Sequence, residues 1–201
     1  MRTFSTFSFH SFSFDQQTLI ATFTYQADEL FFTETVNFST TVKKIRTSID
    51  ETILHTLLQH IHIALGISYY KLSPTAKILV PDRRTPEMLH FWKSFYLNGL
   101  GEFMVVNGLS PKDICQFSNS PLNGTPAPVA REMLQPTALV FFGGGKDSLV
   151  SVELLKERHQ PFFLFSMGNL PLHALAASKV NVPRIIHTRT LDPKLFAMNQ
   201  S

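Results

Sequence analysis

The sequence predicts an α/β protein built in two unlike parts. An N-terminal α+β domain with antiparallel aromatic strands comes first, and a partial parallel β-α-β sheet follows. Three observations carry this prediction. Nine of the 19 Phe fall within the first 38 residues, and most alternate with Ser, Thr or other polar residues, the period of half-buried strands. A Pro-, Ser- and Asn-rich stretch then interrupts the pattern at 117–136. After it, short apolar runs alternate with helical periodicity, the grammar of a parallel sheet covered on both faces. The domains read from this are 1–116 and 137–201, joined by a linker at 117–136.

Phe7 and Phe9 share one phase and Phe12 and Phe14 the other, with the shift near Ser11. Leu19, Ala21, Phe23 and Tyr25 alternate again. Asp28-Glu29 is turn-like, and Phe32, Glu34, Val36 and Phe38 form a third run. Glu34 falls on the apolar phase, and an edge position is the expectation for it. Ser48 to Leu65 reads as a helix. Ser48 and Glu51 are spaced as a capping box, and Ile53, Leu54, Leu57, Leu58, Ile61 and Leu65 form an apolar face. Gly66 is read as its stop. His60 and His62 stand two apart on this helix, on different faces, so no metal pair is expected there. Ala76 to Val80 is a candidate strand. Thr85-Pro86 starts a second helix, which carries Trp92, Phe95 and Tyr96 and ends at Gly99. Gly99-Leu-Gly-Glu-Phe103 reads as a loop, or as a site segment around Glu102.

In the second part, Thr137–Phe142 is a buried strand and Gly143–Lys146 a glycine turn. Asp147–Arg158 is a helix expected to bury Leu149, Val150, Val152, Leu154 and Leu155. Pro161–Ser166 and Arg184–Thr188 are further strands, with a short helix from Leu170 to Lys179 between them. Asp192-Pro193 opens a last helix.

Composition narrows the function classes. With 44% apolar and 16% charged residues, the chain can build a core and is not expected to be disordered. No apolar run approaches the roughly 18–20 residues of a membrane span, and the start of the chain lacks a signal-peptide pattern. A cytoplasmic protein without membrane contact is the expectation. Cys115 is the one cysteine, so an internal disulfide is excluded. Eighteen basic against 15 acidic residues give a net +3. No Lys/Arg run exceeds two, so a nucleic-acid partner is not indicated, while an anionic small substrate is compatible.

The chemistry-bearing segment is LVFFGGGKDSLVSVELL, residues 139–155. Gly143, Gly144 and Gly145 join a strand directly to a helix N-terminus. Bare backbone N–H groups and the helix dipole there suit a polyphosphate. Asp147 and Ser148 stand at the helix start, and Lys146 adds a mobile charge. A Walker A loop is excluded, because Val140 stands at its first Gly and Asp147 at its Ser/Thr. The dinucleotide pattern fails at Ser148. The segment resembles the PP-loop of the ATP-pyrophosphatase superfamily, Ser-Gly-Gly-x-Asp-Ser/Thr, with Gly143 in place of the leading Ser. That resemblance implies that Gly143 to Ser148 hold ATP phosphates and that Asp147 serves Mg²⁺. It also implies an adenine seat near Phe141-Phe142 and Phe165-Ser166.

The order of FTETVNF near 31–38, GISYYK at 66–71, YLNGLGEF at 96–103 and GGGKDS at 143–148 is similar to the UDP-N-acetylmuramoyl-L-alanyl-L-glutamate epimerase family of MurL type. The resemblance implies ATP- and Mg²⁺-dependent inversion of a terminal glutamate on a UDP-linked muramoyl dipeptide, through an acyl-adenylate. AMP and pyrophosphate would be released, in peptidoglycan precursor synthesis. Lys71 and Glu102 are the catalytic candidates within the matched segments; Tyr69, Tyr70 and Asn107 stand beside them. His173 and His187 are further polar candidates in the second part. The family is about twice as long, and three parallel strands are fewer than the roughly five of a PP-loop sheet, so an N-terminal portion is expected. Another PP-loop adenylating enzyme, an amide ligase or a tRNA-modifying enzyme, and a nucleotide-binding module without turnover are the alternatives.

Overall fold

The computed structural model describes residues 3–39, 50–80, 85–118, 137–168 and 170–199. Strands β1 (Thr6–Asp15), β2 (Ile20–Ala27) and β3 (Leu30–Asn37) form an antiparallel meander. The phase shift in β1 is a bulge between Phe9 and Ser11, which returns Phe12 and Phe14 to the face of Phe7 and Phe9. Helix α1 (Glu51–Tyr70) lies on that face. Strand β4 (Lys77–Leu79), helices α2 (Pro86–Gly99) and α3 (Gly101–Asn107), and β5 (Gln116–Phe117) complete the first half. The second half is β6 (Ala138–Phe141), α4 (Lys146–Glu157), β7 (Phe162–Met167), α5 (Pro171–Val180), β8 (Arg184–Thr190) and α6 (Pro193–Asn199).

All eight strands make one mixed sheet, in the order β5-β4-β1-β2-β3-β8-β7-β6. β6, β7 and β8 are mutually parallel, and β8 runs antiparallel to β3 with Val36 opposite Arg189. The α/β class and the antiparallel-then-parallel order are as the sequence predicts. Most of the expected linker, residues 119–136, lies outside the described residues.

Several local expectations need correction. Helix α1 does not stop at Gly66 but continues to Tyr70. Gly66 is there for proximity: a Cβ on it would stand 2.6 Å from a Phe9 ring carbon and 3.0 Å from Tyr25. Only a bare backbone lets the helix approach the aromatic strands so closely. Ser48 lies outside the described residues; the cap is Asp50, whose carboxylate accepts from the amides of Thr52 and Ile53 at 2.8 and 3.1 Å. Gly99–Phe103 is not a loop. Leu100, fully buried, is a one-residue joint between α2 and α3.

Glu34 is not at an edge. β3 is flanked by β2 and β8, and Glu34 is 1% exposed. Its carboxylate accepts from the Tyr25 hydroxyl at 2.6 Å and from Arg189 Nε at 2.7 Å. Arg189 Nη2 donates onward to Leu65 O at 3.0 Å and Ser68 Oγ at 3.2 Å on α1. Nearby, the Asp192 carboxylate accepts from Thr33 N at 2.9 Å, and Asp192 N donates to the Tyr69 hydroxyl. These contacts tie the two halves together.

Among the described residues, no helix covers the second face of β6 and β7. α4 and α5 share one cluster with Val140, Phe142 and Leu164, so both lie on one face. Of the apolar residues expected to be buried on α4, Val152 is buried and Leu155 packs beside it. Leu149, Val150 and Leu154 are exposed. A 3.6-residue period shows that a face exists, not that a neighbour covers all of it.

Candidate functional site

The parallel strands bring three segments to one end of the sheet. β6 ends at Phe141, and the amide of Phe142 still donates to Phe165 O on β7 at 2.8 Å. The chain then turns through Gly143, Gly144 and Gly145 into α4, with Gly145 as N-cap. Gly144 has φ +73, a left-handed conformation that glycine adopts without a steric penalty. A Cβ there would meet Ala176 Cβ at 3.4 Å and Leu172 O at 3.5 Å, on α5. A Cβ on Gly143 or Gly145 would meet nothing within 4 Å. The turn is therefore backed by α5 at its middle and open at both flanks. The bare glycines and the N-terminal amides of α4, which no side chain caps, fit an anionic group.

Around the turn, Ser148 Oγ donates to Gly145 O at 2.8 Å. Lys146 Nζ and Asp147 Oδ1 stand 2.6 Å apart, both solvent-exposed. Ser166 Oγ, buried, donates to Phe142 O at 2.8 Å and pins the strand just before the turn. Further along the same end, His187 pairs in register with Met167 and stacks on Phe165 with centroids 4.5 Å apart. Burial holds the His187 imidazole below its ordinary pKa. Among the described residues, His187 Nδ1 and His173 Nδ1 are buried without a hydrogen-bond partner. The Cα of His173 would lie 3.6 Å from a Cβ on Gly144.

Gly143 to Ser148 are thus contiguous in space as in sequence. Lys71 and Glu102 are elsewhere. Lys71 caps the C-terminus of α1, and its Nζ lies 5.8 Å from the centroid of Phe103. Glu102 is in the first turn of α3, one residue before Phe103. The neighbouring Tyr70 packs on Phe7 of β1. Strands β1 and β6 are five strand spacings apart, about 24 Å at ~4.8 Å each. The fold places Lys71 over Phe103, the residue after Glu102, and away from the glycine turn.

The tyrosines between them are core residues. Tyr70 donates to Pro74 O and accepts from Cys115 N. Burial raises its pKa, raises that of Tyr69 to about 12, and pushes the Cys115 thiol to about 11. Neither phenol nor thiol ionises near neutrality. Asn107 is exposed, with its amide on Phe103 O at 2.8 Å. Among the described residues, no three His, Cys, Asp or Glu side chains stand together as metal ligands. No helix described is long and apolar enough to cross a membrane. Reading the sequence alone missed the Glu34–Arg189 pair; the one signal was a carboxylate on an apolar strand phase.

A family model described as the MurL N-terminal domain matches residues 1–201. Curated relatives carry the name UDP-N-acetyl-alpha-D-muramoyl-L-alanyl-L-glutamate epimerase. The one from Xanthomonas oryzae pv. oryzae is 32% identical over 201 residues, covering 98% of this chain and 43% of the relative. Those from Salinispora tropica and a Micromonospora species are each 29% identical, covering 99% of this chain and 44% and 45% of theirs. The chain spans less than half the length of these relatives. No solved structure matches it.

Proposed function

Because this chain belongs to the MurL N-terminal domain family, we propose that the protein carrying it inverts the L-Glu terminus of a UDP-linked muramoyl-L-Ala-L-Glu substrate at the expense of ATP. The end-to-end family match carries the assignment. The glycine turn supports its nucleotide part. The amides of Gly143, Gly144 and Gly145, aligned with the dipole of α4, hold phosphate oxygens. Lys146 screens their charge, Asp147 serves Mg²⁺, and rotation of the Ser148 hydroxyl away from Gly145 O adds one contact.

The chemistry gives a reason for ATP. An α-proton beside a carboxylate is hard to remove, because the carbanion would sit next to an anion. ATP supplies an adenylate on that carboxylate, which neutralises it and makes the α-carbon acidic. Pyrophosphate leaves as the adenylate forms; a base then removes the α-proton, return from the other face gives the D centre, and hydrolysis of the adenylate frees D-Glu and AMP. Fixed dipoles aimed at the leaving phosphates need no reorganisation. A cytoplasmic location follows from the nucleotide-linked substrate.

The test uses the natural protein in full, with the UDP-linked dipeptide, Mg-ATP and D₂O. Deuterium at the glutamate α-carbon, with AMP formed, is expected. The Gly144→Val variant, shown to be folded by circular dichroism, should lose both. Exchange without ATP would overturn the activation step, and ATP cleavage only with an added amine would make the protein a ligase.

A further inference from the structure

Leu139, Phe141, Phe163 and Met167 alternate with the residues under α4 and α5 and so share the opposite face. They are 49%, 76%, 39% and 55% exposed. This is the face α1 occupies in the first half of the sheet. Met167 pairs with His187, and Arg189, two residues on, reaches Leu65 O of α1. Among the described residues β6 is also the last strand in the sheet order, and none of them pairs with its outer edge. A bare apolar face and a free parallel edge meet at the strand that feeds the glycine turn.

One connection rule covers both. Parallel crossovers are right-handed almost without exception. From β6 to β7 to β8 the chain steps across the sheet in one direction, which puts α4 and α5 on one face. A right-handed connection over the opposite face must step the other way, and from β8 that leads to the free edge of β6. α6 is already on that side: Leu195 is buried in the cluster that holds Phe32 and Tyr69.

We propose that this surface docks the C-terminal half that the curated relatives carry, with a strand parallel to β6 on its free edge and a helix across Phe141 and Phe163. The occupant is chosen because the matched family is an N-terminal domain and the chain covers only 43–45% of the relatives. The inference rests on family membership and sheet geometry, not on nucleotide binding. Its consequence is that Gly143–Gly145 lie where the strand order reverses, the position at which open α/β sheets bind ligands.

The test is photo-crosslinking in the natural protein in full. Phe141 is replaced by p-benzoylphenylalanine, a similar ring at an exposed position, and in separate samples Phe163 and Val105 are replaced. Val105 is 84% exposed on α3 and serves as the control. Crosslinks from positions 141 and 163 to peptides beyond residue 201 of the same molecule are expected, with none from 105. Crosslinks to a second copy or to another macromolecule would overturn the proposal, as would none at all from a folded sample or a natural protein with no chain beyond Ser201. Amide exchange on the unsubstituted protein gives a second reading. Leu139, Val140 and Phe141 should be uniformly protected, and fast exchange at alternate amides of β6 would sink the idea.

Discussion

In β2, Ala21, Phe23, Tyr25 and Ala27 are buried, and the residues between them are Thr and Gln. In β6 and β7, by contrast, Leu139, Phe141, Phe163 and Met167 are exposed beside the buried Val140 and Leu164. The first strand states in sequence that one face is covered, and one face is. The latter two are apolar on both faces, yet the described residues cover only one. Alternation in an antiparallel strand is thus a complete local instruction, whereas a continuous apolar run names a partner it does not contain. The same contrast runs through the cores. The aromatic cluster spans four strands, β1 to β4, with α1, α2 and the start of α6, while the cluster under α4 and α5 has five buried residues among those described.

The junction of the two halves gives the largest expected effect. Glu34 is fully buried, and the Arg189 side chain is 14% exposed. Glu34→Ala would leave the guanidinium buried without its carboxylate and the Tyr25 hydroxyl with only the longer contact to His62 O at 3.3 Å. A loss of about 3–5 kcal/mol is expected in urea unfolding. Replacing both, Glu34→Leu with Arg189→Met, should recover most of it, because no charge is left stranded. A loss below about 1 kcal/mol for Glu34→Ala would mean that the ion pair does not couple the halves.

That junction also marks how far the sequence was legible. The meander, the bulge at Phe9–Ser11, the helix cap at Thr85 and the glycine turn are all written in neighbouring residues, and each was readable. Glu34 was misread because its partner is 155 residues away in sequence. Gly66 was misread as a helix stop because the obstruction, the Phe9 ring, arrives from another element. The phosphate-type turn is contiguous, so Gly143 to Ser148 come together in sequence and space alike. Lys71 and Glu102 lie in separate segments, and no local pattern reports their distance from the turn.

The second effect is confined to the aromatic half. His62 is 1% exposed, its Nε2 donates to Thr24 O at 3.0 Å, and its ring lies 4.7 Å from that of Tyr25. Burial lowers its pKa to about 4. The folded state therefore holds the neutral ring more tightly than the unfolded chain does. The resulting stability is fully present above the unfolded pKa of about 6.5 and is lost as pH falls from there toward 4. Between pH 7 and 4.5 the loss should reach about 2–3 kcal/mol. His62→Gln should be less stable at pH 7 but flatter over that interval. His187, shifted in the same direction, is present in both proteins and cancels. Parallel curves for the two would show that His62 is not the group responsible.

The smallest effect tests the bare face directly. Phe141 and Leu164 sit on adjacent paired strands, one 76% exposed and the other fully buried. Truncating Leu164 to Ala should cost about 2–5 kcal/mol, because it opens a cavity in a small cluster that has little else to close it. Phe141→Ser in the 201-residue chain should cost no more than about 1 kcal/mol, since the ring is mostly exposed and gives up an edge contact. That contact is with Phe165, centroids 5.5 Å apart. The same substitution in the natural protein sharpens the comparison. If a helix lies over Phe141 there, the cost should rise toward that of a buried aromatic ring, about 3–5 kcal/mol. An equally small cost in both settings would mean that β6 keeps its open face in the working protein. The difference between the two halves would then be a permanent property of the fold rather than a sign of docking.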